Sequence, residues 1–163
     1  MKQVCVIGCG MGPETITEEG LRAIREAEFL LGSPRMLAAL AHLDKPSAEE
    51  YAPTKVAQVI RESPYNSFAV LVSGDPGFFS GAAGLVQALD FCRVTVLPGL
   101  SSLTYFFARL QRPWQETAVV SCHGRRGHLE SILGRVLTVS GLQQRLILVR
   151  SWRSFLLQNA PVL

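Results

Sequence analysis

The chain has 163 residues, of which 48% are hydrophobic and 18% charged, a globular composition too apolar for disorder. Sixteen basic against thirteen acidic residues give a net charge of +3, without the strong clustered excess of a nucleic-acid binder. No apolar run is long enough to cross a bilayer, and the start of the chain carries no secretion signal, so a cytoplasmic location without membrane or nucleic-acid partners is expected.

In chain order, Val4 to Ile7 is a short apolar run stopped by Gly8, the pattern of a buried strand. A loop from Gly8 to Pro13 follows. Thr15 or Thr17 caps the next helix, with Thr15-Ile16-Thr17-Glu18 fitting a capping box and Leu21, Ile24 and Ala27 on one helical face. Phe29 to Leu31 is a second strand, ended by Gly32. Pro34 opens a short helix reaching about Leu43. Lys45 to Pro53, polar with two prolines, reads as loop. Val56, Val59 and Ile60 mark a helix that stops near Pro64. Phe68 to Val72 is a buried strand, Ser73 to Phe79 a loop, and Ser80 to about Leu89 a helix. Val94 to Leu97 is a strand, Pro98 to Ser102 a turn, and Leu103 to Leu110 a helix. Past Arg112-Pro113-Trp114, Val119 to Ser121 begins a strand, Leu129 to Val136 is helical, and Leu146 to Val149 is a strand.

Strands alternating with helices predict an α/β fold with a largely parallel sheet. Pro113 is the natural boundary, giving an N-terminal lobe of residues 1–112 and a partial, shortened C-terminal lobe of residues 113–163. Cys5, Cys9, Cys92 and Cys122 form no C-x-x-C pair, so buried reduced thiols are expected rather than a zinc site or a redox dithiol. His123 and His128 have no third ligand, so no metal is expected. His42 reads as an ordinary helix-face residue.

Ligands of open α/β sheets sit beyond the carboxyl ends of the strands. Three loops there are unusual: Gly8-Cys9-Gly10-Met11-Gly12-Pro13, Ser73-Gly74-Asp75-Pro76-Gly77-Phe78-Phe79 and Pro98-Gly99-Leu100-Ser101-Ser102. The first resembles a dinucleotide fingerprint but has Pro13 where the last glycine belongs, and no acidic residue follows the second strand. A plain strand-to-helix turn explains it equally well. In the second, Asp75 offers a carboxylate for ammonium or hydroxyl groups, and Phe78 and Phe79 offer a surface for a flat ring; a tight turn with core-facing phenylalanines is the structural alternative. In the third, Ser101 or Ser102 serves as a helix N-cap or presents its hydroxyl or N–H to a ligand.

Taken together, in this order and spacing, the three loops resemble the tetrapyrrole methylases. Residues Gly8 to Thr17, Leu31-Gly32-Ser33-Pro34-Arg35 and Val120-Ser121-Cys122-His123-Gly124-Arg125 look like the branch that methylates C5 of precorrin-7 or its cobalt form, the precorrin-6Y C5,15-methyltransferases of cobalamin biosynthesis. The likeness covers most of residues 4–137 and is lost beyond them. It implies two α/β lobes with S-adenosyl-L-methionine, the methyl donor, in a cleft between them, and a homodimer. By position it places Met11, Ser73, Gly74, Asp75, Phe78, Ser101, Ser102 and His123 around the donor. Arg35, Arg109, Arg125 and Arg126 are the candidates for holding the carboxylates of a precorrin or cobalt-precorrin substrate. No residue is assigned as general base. A separate C15-methylating decarboxylase is a possible partner.

Other functions stay open on these residues. The same fold serves methyltransferases of RNA ribose and of a modified histidine on a translation factor. A nucleotide-binding or dehydrogenase domain, and a degenerate non-catalytic subunit, are the readings from other classes.

Overall fold

A computed structural model describes residues 1–115, 117–121 and 145–149. The chain divides into two compact units, Met1–Phe106 and Phe107–Leu163.

The first unit is built on a five-stranded, all-parallel sheet. Its strands are β1 (Gln3–Gly8), β2 (Phe29–Leu31), β3 (Ser47–Ala48), β4 (Ser67–Val72) and β5 (Arg93–Leu97), in the order β3-β2-β4-β1-β5. Parallel neighbours need crossovers, which the helices supply: α1 (Glu18–Glu26), α2 (Pro34–Ala39), α3 (Pro53–Glu62) and α4 (Ala82–Ala88). The helix α5 (Ser102–Arg109) follows β5. In the second unit, β6 (Thr117–Ser121) and β7 (Arg145–Val149) form a parallel pair, with Thr117 opposite Arg145.

Alternation along the strands creates two cores, one on each face of the sheet. Val4, Val6, Phe68 and Val70 face one way and pack with Val56, Ala57 and Ile60 of α3 and Ala82 and Leu85 of α4. Ile7, Ala69 and Leu71 face the other way and pack with Ile24 of α1, Ala27 and Leu40. Burial on both faces explains why β4 reads as an unbroken apolar run, Phe68 to Leu71.

The helix ends show how local chemistry sets the boundaries. Thr17 caps α1, its hydroxyl accepting the Gly20 N–H at 3.0 Å. The expected capping box running from Thr15 to Glu18 does not form, because Glu18 is the first residue of the helix and Thr15 lies in the preceding turn. Pro53 opens α3 instead of closing a loop, since a missing N–H costs nothing at a first helical position. The same segment holds β3, a two-residue edge strand too short to give a periodic signal. At the other end of α3, the Lys2 ammonium donates to the carbonyls of Ile60 and Ser63 and lies 5.5 Å from the centre of the Phe68 ring. The Lys45 ammonium similarly donates to Ala27 O, at 2.6 Å, beyond the end of α1. A positive charge at a helix C-terminus satisfies orphan carbonyls and complements the dipole.

Among the described residues, no helix is long and apolar enough to cross a membrane. The predicted helix at Leu129 to Val136 lies outside the described residues, as do Cys122 and His128. Lys2→Met keeps the aliphatic stem and removes the charged cap; it should lower the unfolding free energy by about 1–3 kcal/mol, read from urea denaturation with an unchanged slope.

Candidate donor-binding site

The three loops singled out in the sequence follow β1, β4 and β5, which are neighbours in the sheet. Their convergence is therefore a consequence of strand order. Hydrogen bonds then tie them together. Cys9 N–H donates to Val72 O at 2.8 Å. Gly10 and Gly74 form an isolated antiparallel bridge, Gly10 N–H to Gly74 O at 3.2 Å and Gly74 N–H to Gly10 O at 2.9 Å. Asp75 connects the second loop to the third: its Oδ1 accepts Gly77 N–H at 2.8 Å and its Oδ2 accepts Gly99 N–H at 3.1 Å.

Glycine is required where backbones meet. A Cβ on Gly99 would sit 2.2 Å from Gly74 O and 2.6 Å from the carbonyl carbon of Gly8. A Cβ on Gly8 would meet Gly99 N at 2.6 Å. The three loops thus touch main chain to main chain, an approach that only residues without side chains permit. Gly10 and Gly74 also adopt positive φ, 60° and 69°.

Thr15 organises the first loop, a role that its position before the helix did not reveal. Its Oγ1 accepts Met11 N–H at 2.7 Å and Gly12 N–H at 3.0 Å, and donates to Gly12 O at 2.8 Å. Every amide from Cys9 to Gly12 therefore has a partner within the protein. A phosphate-binding loop needs the opposite arrangement, with free amides and a helix N-terminus aimed at the anion. Here Glu18 and Glu19 occupy the first turn of α1. The loop is unsuited to a pyrophosphate.

Other predicted residues fall as follows. Ser101 caps α5, its hydroxyl accepting Thr104 N–H at 3.1 Å and pairing with the Thr104 hydroxyl at 2.9 Å; Ser102 is the first residue of the helix. Ser73 Oγ is buried with no hydrogen-bond partner. Phe78 and Phe79 pack edge-on, ring centres 4.8 Å apart. Phe79 is 54% exposed and holds a left-handed backbone, φ 48°, a conformation that disfavours side chains. The alternative in which both phenylalanines face the core does not hold for Phe79. Arg35 is the second residue of α2 and lies near enough to Cys9 for its charge to act on the thiol. Arg109 ends α5 and belongs to the second unit. His123, Arg125 and Arg126 lie outside the described residues.

Burial pushes the Cys9 thiol up to about 12, against smaller lowering from the Val72 backbone and Arg35. Cys5 and Cys92 are only half-buried, which corrects the expectation of uniformly buried thiols. Among the described residues, no group of three His, Cys, Asp or Glu could hold a metal ion. A groove of about 520 Å³ lies away from the loops, between α1 and β5, lined by Cys5, Glu19, Arg22, Arg93 and Thr95 among others. None of the predicted site residues lines it.

Comparison with known proteins decides the family. The model of the tetrapyrrole (corrin/porphyrin) methylases matches residues 3–160. This chain belongs to the tetrapyrrole methylases. It is 33% identical over 146 residues to the decarboxylating precorrin-6Y C(5,15)-methyltransferase of Sinorhizobium sp, covering 83% of this chain and 34% of that protein. To the protein of the same name from Mycobacterium tuberculosis it is 30% identical, covering 85% of this chain and 36% of the relative. The chain thus spans about a third of the length of these curated relatives. Among solved structures, it is similar to the cobalamin-biosynthesis precorrin-6Y methylase of Archaeoglobus fulgidus, with a TM-score of 0.64 and 23% identity, over 91% of this chain and 72% of that one. It also resembles a uroporphyrin-III C-methyl transferase of Thermus thermophilus complexed with S-adenosylhomocysteine, with a TM-score of 0.56 and 25% identity, over 73% of this chain and 55% of that one. The parallel α/β architecture of this chain is that of the family.

The glycine cradle and the orphaned Ser73 hydroxyl fit a group laid across the three loops, and the spent amides fit a donor that carries no phosphate. Two outcomes test this geometry. Gly99→Ala should destabilise by about 1–3 kcal/mol through the clash at Gly74 O, whereas Gly12→Ala, with nothing near its Cβ position, should stay within about 0.5 kcal/mol; urea denaturation of both reads the contrast. At pH 8, native-state alkylation with iodoacetamide should spare Cys9, whose thiolate fraction is about 10⁻⁴ when its pKa is about 12. Peptide mass spectrometry should find it modified only after unfolding, and native labelling should increase as pH rises toward 12.

Proposed function

We propose that this chain is an S-adenosyl-L-methionine-dependent C-methyltransferase that methylates C5 of precorrin-7 or cobalt-precorrin-7 in cobalamin biosynthesis. The observation that carries the reading is the junction of three loops at the ends of adjacent parallel strands, with the first loop's amides already bonded internally. Family membership and the shared identity with precorrin-6Y methyltransferases support the substrate class. The relative solved with S-adenosylhomocysteine supports the donor.

The sulfonium of the donor makes its methyl carbon electrophilic, so the chain's task is placement. Met11, Ser73, Gly74, Asp75, Phe78, Ser101, Ser102 and His123 form the donor side of the site in this proposal. Phe78 and Phe79 contribute apolar surface, and Ser73 a buried hydroxyl without a partner in the protein that a ligand would satisfy. Holding two reactants in line for displacement supplies ~7–11 kcal/mol in favourable cases. Arg35, Arg109, Arg125 and Arg126 grip the substrate's carboxylates by paired hydrogen bonds. In this proposal the N-terminal lobe of residues 1–112 carries the donor loops.

The chain matches about a third of the length of the curated relatives, and the proposal assigns that stretch the C5 methylation alone. A cytoplasmic homodimer completes the proposal. S-adenosylhomocysteine should raise the melting temperature and bind with micromolar affinity by calorimetry, while NAD, ADP and pyrophosphate should leave the melting temperature unchanged. A shift with NAD and none with S-adenosylhomocysteine would reverse the assignment.

A further inference from the structure

We infer that Asp75 is a positioning residue that shapes the donor site by clamping two loops. The inference rests on the donor-site reading above and changes what Asp75 does within it. Each carboxylate oxygen accepts a main-chain amide: Oδ1 from Gly77 N–H at 2.8 Å, Oδ2 from Gly99 N–H at 3.1 Å. The first bond tightens its own turn, together with Phe78 N–H donating to Asp75 O at 3.1 Å. The second spans 24 residues of sequence and joins the loop after β4 to the loop after β5.

This side-chain bond ties the loop after β5 to the loop after β4, so the carboxylate helps to set where Gly99 sits. That matters because Gly99 packs directly against Gly8 and Gly74, where an added Cβ would fall within 2.7 Å of main-chain atoms of both. A shift of Gly99 is therefore a shift of all three loops at their meeting point. Gly74 itself is fixed from the other side by its two bonds to Gly10. The loop after β4 is the hub, with Gly74 holding the first loop and Asp75 the third. An ionised carboxylate is suited to this because it accepts in two directions at once, and charge-assisted bonds to N–H groups are the stronger kind.

A direct ligand and a clamp predict different responses to trimming the donor. Asp75→Asn keeps the shape but places an NH₂ group against one of the two amides, leaving two donors facing each other. The variant and the wild-type chain are compared for affinity toward S-adenosylhomocysteine, its 2′-deoxy and 3′-deoxy analogues, and 5′-methylthioadenosine, which lacks the amino acid moiety. Calorimetry should show a loss of tenfold or more in the variant, by the same factor for all four compounds. A contact from the carboxylate to a ribose hydroxyl or to the ammonium would instead make the loss vanish for the compound lacking that group. That result would overturn the inference while leaving the donor site in place.

Amide hydrogen exchange on the ligand-free proteins gives an independent reading. Gly99 N–H should exchange at least tenfold faster in Asp75→Asn, with the amides of β1 and β4 unchanged, which also verifies that the variant is folded. Unchanged protection at Gly99 would overturn the clamp. If the wild-type chain bound none of the four compounds, the donor-site reading itself would fall, and with it the functional half of this inference; the exchange experiment would still decide whether the clamp exists.

Discussion

The pair of hydrogen bonds between Gly10 and Gly74 is the constraint from which the rest of the site follows. Parallel strands diverge past their ends unless something holds them, because the ladder that kept them in register has stopped. Here the ladder between β1 and β4 runs on through Cys9 N–H to Val72 O and then changes character, closing with an antiparallel bridge at Gly10 and Gly74. The two loops are thereby pinned side by side at the point where they leave the sheet. Positive φ at both residues is what turns the chain into that bridge, and it fixes glycine at both positions. Thr15 on one side and Asp75 on the other then absorb the polar groups that the tight turns would leave unmet.

The first loop keeps no amide from Cys9 to Gly12 free for an anion. A nucleotide-binding loop keeps its amides pointed at a phosphate. This loop spends them on a threonine hydroxyl and on the neighbouring loop, and it follows with two glutamates at the start of α1. The likeness to a dinucleotide fingerprint in the sequence is thus a likeness of turn geometry alone. The chemistry separates the two through hydrogen-bond partners that spacing does not display.

That difference marks how far the sequence could be read. The long elements were legible: the apolar runs of β1 and β4 and the helical spacing of α1 and α3 appear where the pattern places them, because each buries a face against the sheet. The placement of the three loops at the ends of β1, β4 and β5 was legible too, since their order and spacing follow the strands. What escaped was set by contacts between residues far apart. The edge strand β3 is two residues long and exists only through its bonds to β2. Thr15 looked like a helix cap and became a loop organiser, because Thr17 lies one residue before the helix and takes the capping role. The bonds from Gly77 and Gly99 N–H to the Asp75 carboxylate also escaped, the second because no local pattern could pair residues so far apart.

The strand β5 has a further consequence for how the molecule behaves in a crowded solution. Among the described residues it pairs only with β1, so its outer margin has no strand partner there, and Val96 within it is 45% exposed. Such margins recruit other chains into mixed sheets. Two features keep this one short: the charged Arg93 at its beginning and Pro98, which has no N–H to extend it, immediately after Leu97. Replacing that arginine with an aliphatic residue and the proline with a β-branched one would lengthen and neutralise the margin together, trading solubility for self-association without touching the interior.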